Sequence, residues 1–297
     1  MTTVDPAMNG SSAGARTSAD PEVRPVRRPR SVLVALSYFW LAVVILSAVL
    51  APVLPLGPFD IAVGPPRQVP GGGSLDLLLG TDQLGRSLLS RVVHGAQVSL
   101  VVGTVAGLLG TVIGGTLGMI GGYFGRRVDA VIRLLADAML AFPPLILLLA
   151  LSAVLTPSVS TILIGLTLLV IPTFIRLARA NTLLWASREF VTAAKNMGAG
   201  GIRILFREIL PNLLPALAAY LPVVMAALIV AEGSLGFLGM GIPPPTPSWG
   251  GMIADGKDAI GDYPHLVFVP ATVIFLTVFS LNQAGDHLRR RFDRSLR

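Results

Sequence analysis

The sequence carries six long apolar runs, at residues 31–55, 98–120, 130–155, 160–178, 213–231 and 266–281. In hydrocarbon no water is present to satisfy a free backbone N–H or C=O, so a spanning segment must be a helix or part of a closed barrel. The runs are mostly close to the roughly 20 residues a spanning helix needs, and they lack the strict alternation of a barrel strand. The expected fold is therefore an all-α integral membrane protein with six transmembrane helices. Hydrophobic residues at 53%, charged residues at 13% and a mean hydropathy of +0.74 place the chain outside the soluble globular class.

A net charge of +7 could suggest a nucleic-acid partner, but its distribution argues for membrane topology instead. With six spans, Arg67, Arg86, Arg91 and Lys257 fall on one side, and the remaining basic residues fall in the tails and in segments 122–133 and 176–207. Basic residues concentrate on the cytoplasmic side of membrane proteins, so both termini are expected there. The chain divides into a disordered basic tail (1–30), a first helix with a long external loop (31–97), a helical membrane region (98–284) and a second basic tail (285–297). The first run is too long for a secretory h-region and reads as an uncleaved span.

Several local features refine this plan. Gly103, Gly107, Gly110, Gly114 and Gly118 share one side of the second run, as expected of a helix packed closely against neighbours in lipid. Phe142-Pro143-Pro144 predicts a kink in the third. Arg133 and Asp137 stand one turn apart there and read as an intrahelical pair; with Glu232 they are the candidate pathway or gating residues. In Leu79-Gly-Thr-Asp-Gln-Leu-Gly-Arg-Ser87, the two glycines bracket a turn, and Asp82 and Arg86 fall at i, i+4.

The most distinctive polar interruption is residues 180–212. Ser187 is placed to cap a short helix beginning near Glu189, and Gly198, Gly200 and Gly201 end it. A second helix then shows Ile202, Leu205, Phe206 and Ile209 at helical spacing, closed by Pro211. The expectation is a helix–glycine–helix elbow with one apolar face.

Ala193-Ala194, Gly198 and Leu210-Pro211 resemble the "EAA" loop of bacterial ABC importer permeases, with Thr192 at the family's Glu position. Residues 79–87 and the run from Leu235-Gly-Phe-Leu-Gly to Pro-Pro-Thr-Pro-Ser-Trp249-Gly resemble the dipeptide, oligopeptide and nickel branch of that family. The resemblance covers roughly residues 75–290. It implies a type I importer permease fold in which Glu189, Thr192, Ala193, Ala194, Gly198, Ile202, Leu210 and Pro211 form the loop that couples to an ATPase. It also implies that Asp82, Arg86, Pro245, Pro247 and Trp249 lie on the external side, where a binding protein docks. The partners it implies are a homologous second permease, two ABC ATPase subunits, an extracytoplasmic peptide-binding protein and the bilayer, with no nucleic acid.

The chain has no cysteine, phosphate-binding loop, nucleophile elbow or metal-ligand cluster, which argues against an enzyme. No cofactor or metal is expected on it; ATP and magnesium belong to the ATPase partners. Two other readings stay open at this point, a nickel or metal-chelate permease of the same family and a stand-alone ion-coupled carrier. The near absence of mid-membrane charges weighs against the carrier.

Overall fold

The structure, a computed structural model, describes residues 30–295 apart from residues 72 and 157. Of the expected disordered tail, residues 1–29 lie outside the described residues. Ten α-helices carry the described chain: α1 (Arg30–Leu50), α2 (Leu88–Phe124), α3 (Arg126–Leu140), α4 (Pro144–Val154), α5 (Val159–Ala186), α6 (Glu189–Asn196), α7 (Gly201–Ile204), α8 (Leu210–Phe237), α9 (Trp249–Gly256) and α10 (His265–Ser295). Among the described residues, β structure is limited to two isolated bridges, Ala62 with Arg86 and Thr81 with Ser87.

Five helices are long and apolar enough to cross a membrane, and α3 with α4 makes a sixth only if that bent pair counts as one span. The expected kink is a break of 81°. Two successive prolines remove two backbone donors, and Pro144 also drives Pro143 out of the helical region. Helix α2 begins at Leu88, ten residues before the expected start of the second span at residue 98. Its 37 residues give a length of about 55 Å, well beyond a hydrocarbon core of roughly 30 Å.

The glycine stripe explains why α2 is central. Gly110, Gly114, Gly118 and Gly122 face α5, whereas Gly103 and Gly107 face α8. A methyl group at Gly114 or Gly118 would sit 2.5 or 2.3 Å from the backbone oxygen of Ile171 or Ile175. Only glycine allows that approach, and the close contact supplies the dispersion energy that associates helices in lipid. One packed cluster joins α2, α4, α5, α8 and the elbow around Leu166, Phe174, Ile204 and Leu213. A second joins α1, α2, α8, α9 and α10 around Trp249 and Leu88. Helix α8 continues through Glu232 to Phe237, so the glycine-rich run after Glu232 first extends the span. There Gly233 and Gly236 meet Gly250 and Gly251 of α9 at backbone contact distance.

Candidate coupling elbow and outer network

The elbow lies between α5 and α8. Ser187 does not cap α6: it ends α5, its hydroxyl donating to the Leu184 oxygen at 2.9 Å, and Arg188 takes the N-cap position without a side-chain bond. Helix α6 ends in a Schellman arrangement. The Gly198 N–H donates to the Lys195 oxygen and the Ala199 N–H to the Ala194 oxygen, both at 3.0 Å, with Gly198 at φ +81°. Glycine is needed there because the left-handed region crowds a Cβ against the following carbonyl.

The second half differs from the expected amphipathic helix. After α7 the chain makes a π turn over Leu205–Ile209 and runs directly into α8, so Pro211 sits in the first turn of a long helix and closes nothing. The wider turn relieves the clash between a proline ring and the preceding carbonyls. It also shifts the buried face. Ile204, Leu205 and Ile209 are buried, while Ile202 is 71% and Phe206 57% exposed.

The elbow thus has two faces. Val191, Ala194, Ile204 and Leu205 join the main core, and the Lys195 ammonium lies 5.2 Å from the Tyr123 ring at the end of α2. On the other face Glu189, Thr192, Ala193, Met197, Ile202 and Phe206 are exposed, with Met197 at 81%. A ridge of large apolar side chains on a firmly anchored support is suited to a protein partner.

Arg133 and Asp137 do not pair with each other. Arg133 Nε is 3.2 Å from Asp129 one turn earlier, and Asp137 Oδ1 accepts from Arg176 of α5 at 2.7 Å. Asp129 is also held by Arg179, through the Nη2–Oδ2 bond of 2.9 Å and a second contact from Nε. These pairs tie α3 to α5 near the elbow end of the bundle. The reason is facial: Asp137 is turned towards α5, whose Arg176 reaches it across the helix gap.

At the opposite end of α2, residues 57–91 fold into a compact knot. Asp82 Oδ1 accepts from the backbone N–H groups of Leu84 and Arg86 at 2.8 and 2.9 Å, and Oδ2 accepts from Arg86 Nε at 2.6 Å. Gly80 and Gly85 have φ of +83° and +78°, and a Cβ on either would strike the oxygen of Gln68 or Gly64. Ser87 accepts from the Ser90 N–H and so starts α2. Arg91, buried, bridges this knot to α9, lying 3.4 Å from both Asp82 and Asp255. Burial holds the Asp255 carboxyl above the usual carboxylate range, opposed by the nearby Arg91 and Arg86 charges. Arg91 is the residue sequence reasoning passed over: it stood beside the motif, but its second partner is 164 positions away.

Two of the residues expected at the binding-protein dock are buried. Trp249 is fully buried, with Nε1 donating to the Val92 oxygen at 3.0 Å, so it holds α9 on α2 and presents nothing to a soluble protein. Pro247 is buried as well, while Pro245 is exposed. Glu232 is likewise inside the packing. Its Oε2 accepts from Ser99 Oγ at 3.0 Å, and Oε1 has no hydrogen-bond partner among the described residues. Through Ser99, whose oxygen also accepts from the Trp249 N–H at 3.5 Å, Glu232 links α8, α2 and α9. No group of three or more potential metal ligands occurs among the described residues.

The profile of the family described as "Binding-protein-dependent transport system inner membrane component" matches residues 114–297. The "Dipeptide transport system permease protein DppC" of Haemophilus influenzae is 35% identical over 278 residues, covering 91% of this chain and 92% of that protein. The "Di/tripeptide transport system permease protein DppC" of Pseudomonas aeruginosa is 37% identical over 238 residues, covering 80% and 78%. The fold is similar to that of a chain in an inward-facing structure of the MetNI methionine ABC transporter. That match has a TM-score of 0.57 at 20% identity, covering 68% of this chain and 96% of that one.

Proposed function

Because this chain belongs to the family of binding-protein-dependent transport system inner membrane components, we propose that it is a permease subunit of an ATP-driven importer of dipeptides and short oligopeptides. The observation that carries this reading is near-full-length similarity to permeases named for di- and tripeptide transport. The nickel and stand-alone-carrier readings have no such support.

In this reading the protein is a six-span subunit with α3 and α4 as one broken span and both termini in the cytoplasm, which puts the elbow on the cytoplasmic face. A homologous second permease completes the pathway. Two ABC ATPase subunits bind ATP and magnesium and seat the exposed ridge of Met197, Ile202 and Phe206, in the helix-in-groove mode. The elbow is suited to transmit force, since its inner face is continuous with the core of α2, α5 and α8. The outer knot with Pro245 faces an extracytoplasmic peptide-binding protein. This chain carries out no catalysis.

The test is purification of the chain in mild detergent, followed by reconstitution with whatever co-purifies. The expected result is a second permease and an ATPase with the chain, and dipeptide uptake that needs ATP and a binding protein. Gly198→Pro, which removes the Gly198 N–H bond and the required backbone angle, is expected to abolish uptake while leaving ATP hydrolysis. A lone chain that takes up substrate on an ion gradient would refute the reading.

A further inference from the structure

A cleft of about 450 Å³ opens between the C-terminal ends of α5 and α10 and the start of α8. That volume lies within the roughly 300–1,000 Å³ typical of small-molecule sites. Its wall is unusually polar for a gap between membrane helices. Each helix contributes an asparagine, namely Asn181, Asn212 and Asn282. The Nδ2 of each donates to the backbone oxygen four residues earlier on its own helix, at 2.9, 2.6 and 2.8 Å. Each amide is thereby fixed in orientation, and its Oδ1 accepts no hydrogen bond among the described residues. Asp286, whose carboxylate lies 4.0 Å from Arg290 one turn on, and Arg289 add charges of both signs, and the rings of Trp185 and Tyr220 supply apolar surface.

Lipid does not suit this wall, because polar and ionisable groups at membrane depth face water or other polar matter. The set matches a short peptide. Carboxamide oxygens accept from main-chain N–H groups whatever the side chains, a carboxylate suits the ammonium end, and a guanidinium suits the carboxylate end. We propose that this cleft is a transient station for the backbone of a short peptide leaving the membrane for the cytoplasm. The inference rests on the peptide-import reading above and adds to it a site within this chain. Trp185 of α5 and Pro215 of α8, on the two helices that the elbow joins, are in the wall of the station, so elbow movement would reshape it.

The sequence contains no cysteine, so Asn282→Cys places a unique thiol in this chain. Asn282 is exposed and bonds only within its own helix, so the variant is expected to fold. The experiment uses the complete importer in proteoliposomes, a mixture of radiolabelled dipeptides, and a charged, membrane-impermeant methanethiosulfonate supplied on the cytoplasmic side. The thiol is expected to react, and excess unlabelled dipeptide is expected to slow the reaction several-fold. Modification should then lower dipeptide import roughly tenfold while ATP hydrolysis stays within about twofold. A thiol that never reacts, as it would under lipid or a partner chain, overturns the station, as does undiminished import after full modification. A wild-type importer that moves no dipeptide overturns the peptide reading and this inference with it; the other two failures leave that reading standing.

Discussion

Gly198 offers the sharpest test of the elbow. Its φ of +81° is in the left-handed region, yet a Cβ there would meet nothing within 4 Å. Gly198→Ala therefore isolates a backbone term with no steric contribution from neighbours. The left-handed conformation costs an L-residue about 1–2 kcal/mol, and that free energy shifts an equilibrium about 5–30-fold. The bonds at stake are those from the Gly198 and Ala199 N–H groups to Lys195 and Ala194. Hydrogen exchange read on peptides covering residues 195–200, in the assembled importer, should show protection lowered by that factor. Gly198→Asn should lose less, because asparagine bonds its own backbone in this region. Gly200 is the internal control. It has an ordinary φ of −68° and an open Cβ position at the N-cap of α7, so Gly200→Ser should leave protection unchanged or raise it. Equal protection in wild type and Gly198→Ala, or an equal loss in Gly200→Ser, would refute the reasoning.

Three further outcomes are expected. Asp82→Ala leaves buried Arg91 without its more buried carboxylate and should destabilise the protein by about 3–5 kcal/mol, read as a lower thermal midpoint in detergent; Asp82→Asn, which keeps acceptors for the Leu84 and Arg86 N–H groups, should lose less. Trp249→Ala should cost about 3–5 kcal/mol through the cavity it opens, whereas Trp249→Phe should lose only about 1 kcal/mol with the bond to Val92. An unchanged midpoint in Trp249→Ala would contradict its placement at the centre of the α9 packing. Ile202→Asp, on a side chain 71% exposed, should leave the midpoint unchanged but weaken capture of the ATPase subunits in pull-down; undiminished capture would remove Ile202 from the docking ridge.

Features governed by local chemistry were legible in the sequence. Each apolar run reports its own transfer from water, so the spanning helices could be counted to within the broken third. Positive-φ glycines such as Gly80, Gly85 and Gly198 announced their turns, because the reason for glycine is local. Family membership was readable too, since the motifs around residues 79–87, 186–212 and 235–250 are contiguous text. What failed was anything that depended on which face meets which neighbour. Ile202, Leu205, Phe206 and Ile209 were grouped on one apolar face, but a π turn over Leu205–Ile209, invisible in a 3.6-residue pattern, splits that set: Leu205 and Ile209 are buried with Ile204, while Ile202 and Phe206 are exposed. Trp249 was placed by resemblance at the binding-protein dock, but Gly250 and Gly251 let α9 press against α8, and the ring is buried with its N–H on the Val92 oxygen. Arg133 and Asp137 were paired by spacing, while Arg176 of α5 took Asp137, and Arg133 shares Asp129 with Arg179.

The sequence by itself determined a helical membrane protein with a glycine-hinged elbow, because hydropathy and backbone strain act within a turn or two of each residue. Only the tertiary structure decided which glycines meet α5 and which meet α8, what Arg91 and Glu232 hold, and that three asparagines distant in the chain share one cleft. Those outcomes depend on how helices are turned about their axes, which is set by contacts between distant segments, such as Arg179 with Asp129 50 positions away and Arg91 with Asp255 164 positions away, and leaves no periodic mark in either one alone.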